Sequence, residues 1–198
     1  MIPDCTALIL AGGLSTRMGQ DKTRFELDGK SLLQRAIEAM QSLFPSVLVS
    51  VRTLREDLLV PQVEDEMPGG GPLAGVCSGL AQAQTPWVFA VAADMPLLDA
   101  AMVVSLAARR DECQAVVPII NGFPQPLTAF YRCATRPVFQ SVLSGSGRRG
   151  VRDVLERLDV RWVAEAELRE IDPGLHSFVD LDTPSDLALI ERLLPRAK

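Results

Sequence analysis

A glycine-rich segment with two basic residues follows the first apolar stretch of the chain. It reads L-A-G-G-L-S-T-R-M-G-Q-D-K over residues 10–22 and combines Gly12, Gly13 and Ser15 with the cations Arg17 and Lys22. Glycines let backbone N–H groups approach an anion without a Cβ in the way, and the two cations add a bidentate fork and a point charge. The segment therefore predicts a site for a phosphate chain. The alternative is a tight turn between a strand and a helix, with Arg17 and Lys22 as solvated charges.

Two well-known phosphate-binding patterns do not describe this segment. No glycine stands five positions before Gly19, and Gln20 takes the place of the lysine that a Walker A loop requires. A G-x-G-x-x-G motif does occur at residues 145–150, but a helical pattern rather than a strand precedes it. We predict a flexible loop there, with Arg148 and Arg149 as weak candidates for contact with a substrate phosphate.

Acidic side chains stand at two further points where apolar stretches end. Asp94 follows the apolar run 87–92, and Asp180 and Asp182 are two positions apart in the segment 178–184. Mg²⁺ favours a sparse carboxylate site completed by waters and substrate phosphates, so Asp94 is the strongest candidate for a metal ligand. A turn or capping role before Pro96 is the alternative and does not exclude metal binding. Residues two apart on a strand project to one face, which predicts that Asp180 and Asp182 face the same way.

These groups need a scaffold that brings them together, and the hydrophobic pattern predicts one. Short apolar runs alternate with stretches of helical period, which is typical of an α/β fold with a parallel sheet covered by helices. Ligands bind beyond the carboxyl ends of such strands, so we expect chemistry in the loops after residues 10, 51, 92 and 181. Thr183, Pro184 and Asp186 predict a capped helix start. We predict strands at 6–10, 47–51, 87–92, 115–118, 127–131, 160–163 and 178–181, and helices around 32–40, 73–83, 102–110, 138–143 and 151–158.

Composition limits the classes of partner. A chain of 198 residues with 47% hydrophobic residues fits one domain over residues 1–198. With 20 Lys+Arg against 25 Asp+Glu, broad electrostatic binding to nucleic acid or to a membrane is not expected. The four cysteines are scattered and His176 is the sole histidine, so we expect no structural zinc site and place His176 on the surface or in a loop. Isolated cysteines among aliphatic residues are typical of a reducing compartment, which predicts a cytoplasmic protein.

The pattern L-A-G-G-x-S-x-R-M-G-x-D-K resembles the signature of the molybdenum cofactor guanylyltransferases at each of its fixed positions. The resemblance extends over nearly the whole chain. It implies a Rossmann-like three-layer fold with a mostly parallel sheet, of the nucleotide-diphospho-sugar transferase type. It also implies that Leu10, Ala11 and Gly12 line the nucleoside of GTP and that Lys22 meets the phosphates. Related cytidylyltransferases typically have alanine at the position of Gly12, so glycine there favours the larger purine.

The same resemblance implies two contacts further along the chain. Asp65, followed by G-P-L-A-G at 71–75, looks like the family's second nucleotide contact, where a carboxylate accepts hydrogen bonds from N1–H and the 2-amino group of guanine. The alternative for Asp65 is a solvated acid within the acidic run 64–66. In the family, the aspartate at the position of Asp94 is the metal ligand.

The sequence departs from the family pattern at four positions. Asp180 and Asp182 stand where asparagines are usual, Ser50 where an asparagine contact is familiar, and Gln125 where the substrate-side strand often has histidine. Added carboxylates would put charge next to the metal, with Asp182 a candidate second ligand, and the pair could hold a second Mg²⁺. Gln125, Asp180 and Asp182 are weak candidates for contacts on the substrate side. They keep open a CTP-dependent molybdopterin cytidylyltransferase or a sugar-phosphate nucleotidyltransferase. A GTP-binding cofactor-delivery module that does not turn GTP over is a further alternative.

Nucleotidyl transfer is the reaction that the resemblance implies. The terminal phosphate of molybdopterin would attack the α-phosphorus of GTP and expel pyrophosphate, with Arg17, Lys22 and Asp94 as the catalytic residues and Mg²⁺ as the cofactor. GTP and molybdopterin, with or without molybdenum, are the expected partners, together with transient contacts to other cofactor-synthesis or molybdoenzyme proteins. The residues expected to bind GTP are Leu10, Ala11, Gly12, Gly13, Ser15, Arg17, Lys22, Ser50, Asp65 and Asp94.

Overall fold

The computed structural model describes residues 1–12, 22–65, 67, 69–145 and 150–194. In that part of the chain, no helix combines the length and the hydropathy that crossing a bilayer requires. Three short 3₁₀ turns lie at Lys22–Arg24, Cys133–Thr135 and His176–Phe178. The strands are β1 (Cys5–Leu10), β2 (Glu26–Leu27), β3 (Lys30–Ser31), β4 (Ser46–Val51), β5 (Gln62–Glu64), β6 (Trp87–Ala92), β7 (Ala115–Ile120), β8 (Phe123–Pro124), β9 (Thr128–Arg132) and β10 (Val160–Val163). The helices are α1 (Leu32–Leu43), α2 (Gly71–Gln82), α3 (Ala100–Ala107), α4 (Arg136–Ser144), α5 (Val151–Leu155), α6 (Glu165–Arg169) and α7 (Pro184–Leu193).

One sheet runs through the molecule in the strand order β10–β7–β9–β6–β1–β4–β5, with β8 beside β7. β1 pairs in parallel with β4 and with β6, and the pairs β4–β5 and β10–β7 are also parallel. β9 runs antiparallel to both of its neighbours, and β8 is antiparallel to β7. The predicted α/β fold with a mostly parallel sheet is confirmed.

Both faces of this sheet carry apolar side chains, because successive residues of a strand point in opposite directions. On β1, Ile9 packs into a cluster with residues of α1 and α3, while Leu8 packs into a second cluster with residues of α2 and α4. Both side chains are fully buried. The sheet is therefore the middle of three layers, and its strand ends are held rigidly.

The start of α7 is fixed by reciprocal hydrogen bonds. Asp186 N–H donates to Thr183 Oγ1 at 3.3 Å, and Thr183 N–H donates to the Asp186 carboxylate at 2.7 Å. This confirms the predicted capping box. Ile190 of the same helix is fully buried in a small cluster with Leu32 and Leu181, so α7 anchors the chain that precedes it.

The predicted strand at 178–181 is wrong. A 3₁₀ turn occupies His176–Phe178, preceded by Leu175 in the left-handed region at φ 53°. Beyond it, Leu181 N–H donates to the Asp94 carbonyl at 3.0 Å, a single bond rather than a strand ladder. Val179 and Leu181 pack with Ile190 of α7 instead of extending the sheet, and Phe178 packs against the larger cluster that contains residues of α1 and α3.

Helix ends also differ from the predicted ranges. The predicted helix 151–158 ends at Leu155, because the following N–H groups of Arg157 and Leu158 bond to carbonyls three residues back. The predicted helix 102–110 begins earlier, after the N-cap Asp99, and ends at Ala107. Short elements such as β5, β8 and α6 carry too few residues to show a period and had no prediction.

Candidate active site

A cavity of about 610 Å³ opens at the carboxyl edge of the sheet. Its wall is formed by the ends of β1, β4 and β6, by the first turns of α2, by the segment between β8 and β9, and by the stretch before α7. The loops after residues 10, 51, 92 and 181, where chemistry was expected, meet here. The volume lies within the range typical of small-molecule sites.

The end of β1 lies between two other strand ends. Leu10, Ala11 and Gly12, the residues expected beside the nucleoside, line the cavity. Ala11 N–H donates to the Ser50 carbonyl at 2.9 Å, and Ala93 N–H donates to the Leu10 carbonyl at 3.2 Å. These bonds hold β1, β4 and β6 together at the edge where the cavity opens.

The described residues would pack around Gly12 equally well if it carried a small side chain. A Cβ at this position would lie 3.5 Å from Arg52 Cγ and 3.6 Å from Asp65 Oδ2, which are ordinary van der Waals distances. An alanine could be accommodated by the protein itself. The missing side chain therefore affects the cavity rather than the fold.

Asp65 is held by a hydrogen bond from β4. Ser50 is 2% exposed, and its Oγ donates to Asp65 Oδ1 at 2.9 Å. Burial raises the pKa of Asp65, although the Ser50 hydrogen bond and the positive charge of Arg52 both lower it. The half-buried carboxylate thus turns Oδ1 toward Ser50 and Oδ2 toward Gly12.

Gly75 allows α2 to approach this pair closely. A Cβ on Gly75 would lie 2.6 Å from Ser50 Oγ and 3.3 Å from Asp65 Oδ1. Because a Cβ essentially never lies within 3.0 Å of another heavy atom, a larger residue at this position would displace the Ser50 hydroxyl. The G-P-L-A-G sequence at 71–75 is explained by this close packing as well as by lining the cavity.

Three further carboxylates line the cavity. Asp94 is the second residue after β6, and the bond from Leu181 N–H to the Asp94 carbonyl brings Asp180 and Asp182 alongside. They do not share a strand face, since the predicted strand is absent, yet all three reach the cavity. Over the described ranges, His, Cys, Asp and Glu form no group of three arranged to hold a metal ion. Any metal here would rely on one or two carboxylates.

The segment between β8 and β9 forms another part of the cavity wall. Gln125 lines it, with its backbone N–H bonded to the Pro118 carbonyl at 2.8 Å and its side-chain amide donating to the Phe123 carbonyl at 3.1 Å. Tyr131, which is fully buried, donates its hydroxyl to the Pro126 carbonyl at 2.8 Å. Backbone bonds and a buried phenol therefore fix this wall.

Two arginines that line the cavity were not predicted as site residues from the sequence. Arg52 immediately follows β4, so the rule that placed chemistry after residue 51 could have found it. Arg152 lies on α5 and carries no signal in the sequence, because its place beside the cavity depends on how α5 packs. Thr23 and Phe178 also line the cavity without having been singled out.

Several predicted site residues lie outside the described residues. Gly13, Ser15 and Arg17 are among them, as are Arg148 and Arg149, and Lys22 opens the 3₁₀ turn Lys22–Arg24 without a described side chain. The G-x-G-x-x-G motif follows α4, so a helix does precede it as predicted.

His176 and the cysteines lie away from the cavity lining. His176 is partly exposed in a 3₁₀ turn, with Nδ1 3.8 Å from an Asp172 carboxylate oxygen, as expected of a surface residue. The cysteines are free thiols, and burial raises the pKa of Cys113 and of Cys133. Thiols with raised pKa values are poor nucleophiles at neutral pH.

Comparisons with known proteins agree with this architecture. The crystal structure of molybdopterin-guanine dinucleotide biosynthesis protein A from Archaeoglobus fulgidus has a TM-score of 0.83 and 26% identity, covering 95% of this chain and 97% of that one. The crystal structure of 2-C-methyl-D-erythritol 4-phosphate cytidylyltransferase from Thermus thermophilus, at 20% identity and a TM-score of 0.69, covers 95% and 97% and shares the fold. The three-layer nucleotide-diphospho-sugar transferase fold is thereby confirmed.

Sequence relatives cover almost the full chain. A Chloroflexus aggregans protein named "Probable molybdenum cofactor guanylyltransferase" is 37% identical over 96% of this chain and 94% of its own length. A protein of the same name from Natronomonas pharaonis is 34% identical over 92% and 94%. Residues 7–162, a range that begins within β1 and ends within β10, match the family described as "MobA-like NTP transferase domain". The chain belongs to the MobA-like NTP transferase family.

Proposed function

We propose that this chain transfers GMP from GTP to the terminal phosphate of molybdopterin, forming molybdopterin guanine dinucleotide and releasing pyrophosphate. The observation that carries the proposal is the Asp65 carboxylate, oriented by Ser50 and facing the space beside Gly12. The relatives named as guanylyltransferases support the same nucleotide.

Guanine would occupy the side of the cavity formed by β1, β4 and β5. Its N1–H and 2-amino groups are donors, and an ionised carboxylate is a pure acceptor, so Asp65 can select guanine over bases that present acceptors there. Leu10 and Ala11 would cover the nucleoside, and Gly12 would leave room for the purine. Ser50 would act through Asp65, since its hydroxyl is already engaged.

The triphosphate would extend from this point toward residues 13–22. Gly13 and Ser15 would offer backbone and hydroxyl donors, and Arg17 and Lys22 would neutralise the charge that develops on pyrophosphate as it leaves. The amino end of α2, where Gly71 and Pro72 line the cavity, adds the positive end of a helix dipole.

The donor set beside Asp94 fits Mg²⁺. Asp94 and Asp182 are carboxylates on adjoining segments, and Mg²⁺ usually takes one or two carboxylates and leaves its other positions to water and phosphate oxygens. Bound there, the ion would polarise phosphoryl oxygens and neutralise their charge. Asp94 would be the main ligand and Asp182 a second one.

No protein base is required for this reaction. The acceptor's terminal phosphate is already an anion at neutral pH, so the residues of the chain must align it with the α-phosphorus of GTP and balance the charge. Gln125 and Asp180 line the side on which the acceptor would approach. A rigid wall around Gln125 suits the alignment task.

The test is a nucleotide competition read out by product mass. The purified protein is mixed with molybdopterin, Mg²⁺ and equal GTP, CTP, ATP and UTP, and we expect the guanylated product to dominate. Asp94→Asn and Lys22→Ala should each lower the rate about a hundredfold or more while the protein stays folded, by analogy with loss of one preorganised electrostatic group. Asp111→Asn, which neutralises an exposed acid away from the cavity, is the matched control.

Three outcomes would contradict the proposal. A dominant cytidylated product would overturn the argument from Gly12 and Asp65 and favour the cytidylyltransferase alternative. Nucleotide binding without any transfer would favour a delivery module. Full activity in folded Asp94→Asn or Lys22→Ala would refute the roles given to those residues.

We also propose that residues 1–198 form one domain and that the protein works in the cytoplasm. Eight strands, from β1 near the start of the chain to β10, share one sheet, which supports a single domain. The free thiols at all four cysteines support a reducing compartment. Limited proteolysis and fractionation of cells would test the two statements.

A further inference from the structure

The cavity has two sides, and among the described residues the proposed function assigns no cation to the second. Asp94 follows β6, and the strand order places β1, β4 and β5 on one side of β6 and β9, β7 and β8 on the other. Gly12, Ser50 and Asp65 belong to the first side. On the proposed function, the acceptor must then approach from the second side, where it brings a phosphate toward Asp94.

The part of the cavity around Asp94 is rich in negative charge. Asp180 and Asp182 line the cavity together with Asp94, and a phosphate monoester would be repelled by all three. Arg152, on α5, also lines the cavity and carries the opposite charge. Within the described ranges, no hydrogen bond or ion pair engages its guanidinium, so its N–H donors remain available to a ligand.

Arg152 is nevertheless held in place. Its guanidinium carbon lies 5.7 Å from the centroid of the Phe123 ring, within the range of a cation–π contact. A guanidinium placed over a ring keeps its N–H groups pointing outward in its own plane. The aromatic contact therefore fixes the cation without consuming its donors.

Phe123 is itself presented by a rigid turn. β7 and β8 are joined by Asn121 and Gly122, both with positive φ, and Ile120 pairs with Phe123 across this two-residue hairpin. Such Asn-Gly turns match the twist of the flanking strands. Phe123 is 57% exposed, and the next two residues of the chain, Pro124 and Gln125, line the cavity.

We infer that Arg152, positioned by the ring of Phe123, binds the phosphate of the acceptor. The inference rests on the proposed function for the identity of the acceptor, a phosphomonoester of molybdopterin. It assigns recognition of that phosphate to α5 and the β7–β8 hairpin, apart from the residues that read the nucleotide. Phe123 is a positioning residue here, since it acts through Arg152.

Steady-state kinetics and direct binding test this assignment. In Arg152→Ala, we expect the KM for molybdopterin to rise about tenfold or more, the effect of losing a hydrogen bond to a charged group, while the Kd for GTP stays unchanged. Phe123→Leu should raise the same KM a few-fold, and Phe123→Tyr should leave it unchanged. In the Arg152→Ala background, Phe123→Leu should have no further effect. Arg157→Ala removes an exposed arginine on the same stretch of chain outside the cavity lining and is the control.

Each other result would overturn the inference. An unchanged acceptor KM and Kd in Arg152→Ala would refute it, and an equal loss of GTP affinity would assign Arg152 to the nucleotide instead. If Arg157→Ala raised the KM for molybdopterin equally, the cause would be the change in net charge rather than the loss of a specific contact from Arg152. If another nucleotide replaces GTP, the proposed function fails while the acceptor measurement still decides this inference. A wild-type protein that neither turns over nor binds molybdopterin would refute both.

Discussion

Removing the hydroxyl of Ser50 should weaken the selection of guanine while leaving the reacting centre intact. The bond from Ser50 Oγ to Asp65 Oδ1 is 2.9 Å long and involves a carboxylate, a class of hydrogen bond that contributes about 1.5–3 kcal/mol. Because Asp65 is only half buried, water can replace part of that contribution, and the lower figure applies. Ser50→Ala should therefore weaken GTP binding about tenfold, since about 1.4 kcal/mol corresponds to a factor of ten.

The assay compares GTP with ITP, which lacks the 2-amino group. The dissociation constant of ITP divided by that of GTP measures one of the two donors that Asp65 is proposed to read, and Ser50→Ala should lower this ratio. In an Asp65→Asn background, where the acceptor has gone, Ser50→Ala should have no further effect on it. Ser78→Ala removes another buried serine hydroxyl, 1% exposed on α2 and outside the cavity lining, and should leave the ratio at its wild-type value.

The pH dependence gives an independent check. The Ser50 hydrogen bond lowers the pKa of Asp65, so its loss raises that pKa further. GTP affinity, which needs the ionised carboxylate, should then be lost at a higher pH in Ser50→Ala than in the wild type. An unchanged ITP-to-GTP ratio of dissociation constants, or the same fall of this ratio in the Asp65→Asn background, would refute the role of Ser50.

Three further substitutions test other parts of the site. Gly12→Ala should leave the melting temperature nearly unchanged, because its Cβ meets Arg52 and Asp65 at ordinary distances, while GTP affinity falls relative to CTP in titrations; a large loss of stability would contradict this. Asp65→Asn should unfold at an equal or higher temperature at neutral pH. Burial raises the pKa of Asp65 in the folded protein above its ordinary value of 3.8. The wild type therefore loses stability as the pH rises from 3.8 through the raised pKa, and the stability advantage of asparagine should vanish in acid. Thr183→Ala should lower the free energy of unfolding in urea by about 1 kcal/mol through loss of the α7 cap, with Thr183→Ser as the control that keeps it.

The parts of the fold that follow from local pattern were predictable. β6 is a run of six buried or nearly buried residues, and its predicted bounds match the structure. Placing ligands beyond such strand ends then put Leu10, Gly12 and Asp94 at one edge, where the cavity is found. These inferences need only the period of the sequence and the chirality of parallel sheets.

Contacts between distant segments were not predictable in the same way. Ser50 and Asp65 are 15 positions apart, and nothing in either segment reveals that the hydroxyl meets the carboxylate rather than a ligand. The closeness of Gly75 to both depends on the packing of α2 on the sheet. The false strand at 178–181 arose because an apolar stretch that packs under α7 has the same composition as one that joins a sheet.

The charge on the cavity wall makes nucleotide and metal binding interdependent. Asp65, Asp94, Asp180 and Asp182 line a space in which Arg52 and Arg152 are the positively charged residues of the described cavity lining, and a triphosphate adds further negative charge. Opposing charges of this kind favour binding of the nucleotide together with a cation, and such coupling is reciprocal. We therefore expect Mg²⁺ to raise the affinity for GTP, and GTP to raise the affinity for Mg²⁺ by the same factor, in titrations of each at fixed concentrations of the other. Asp94→Asn should reduce this factor, whereas equal GTP affinity with and without Mg²⁺ in the wild type would show that the carboxylates are compensated by residues of the chain alone.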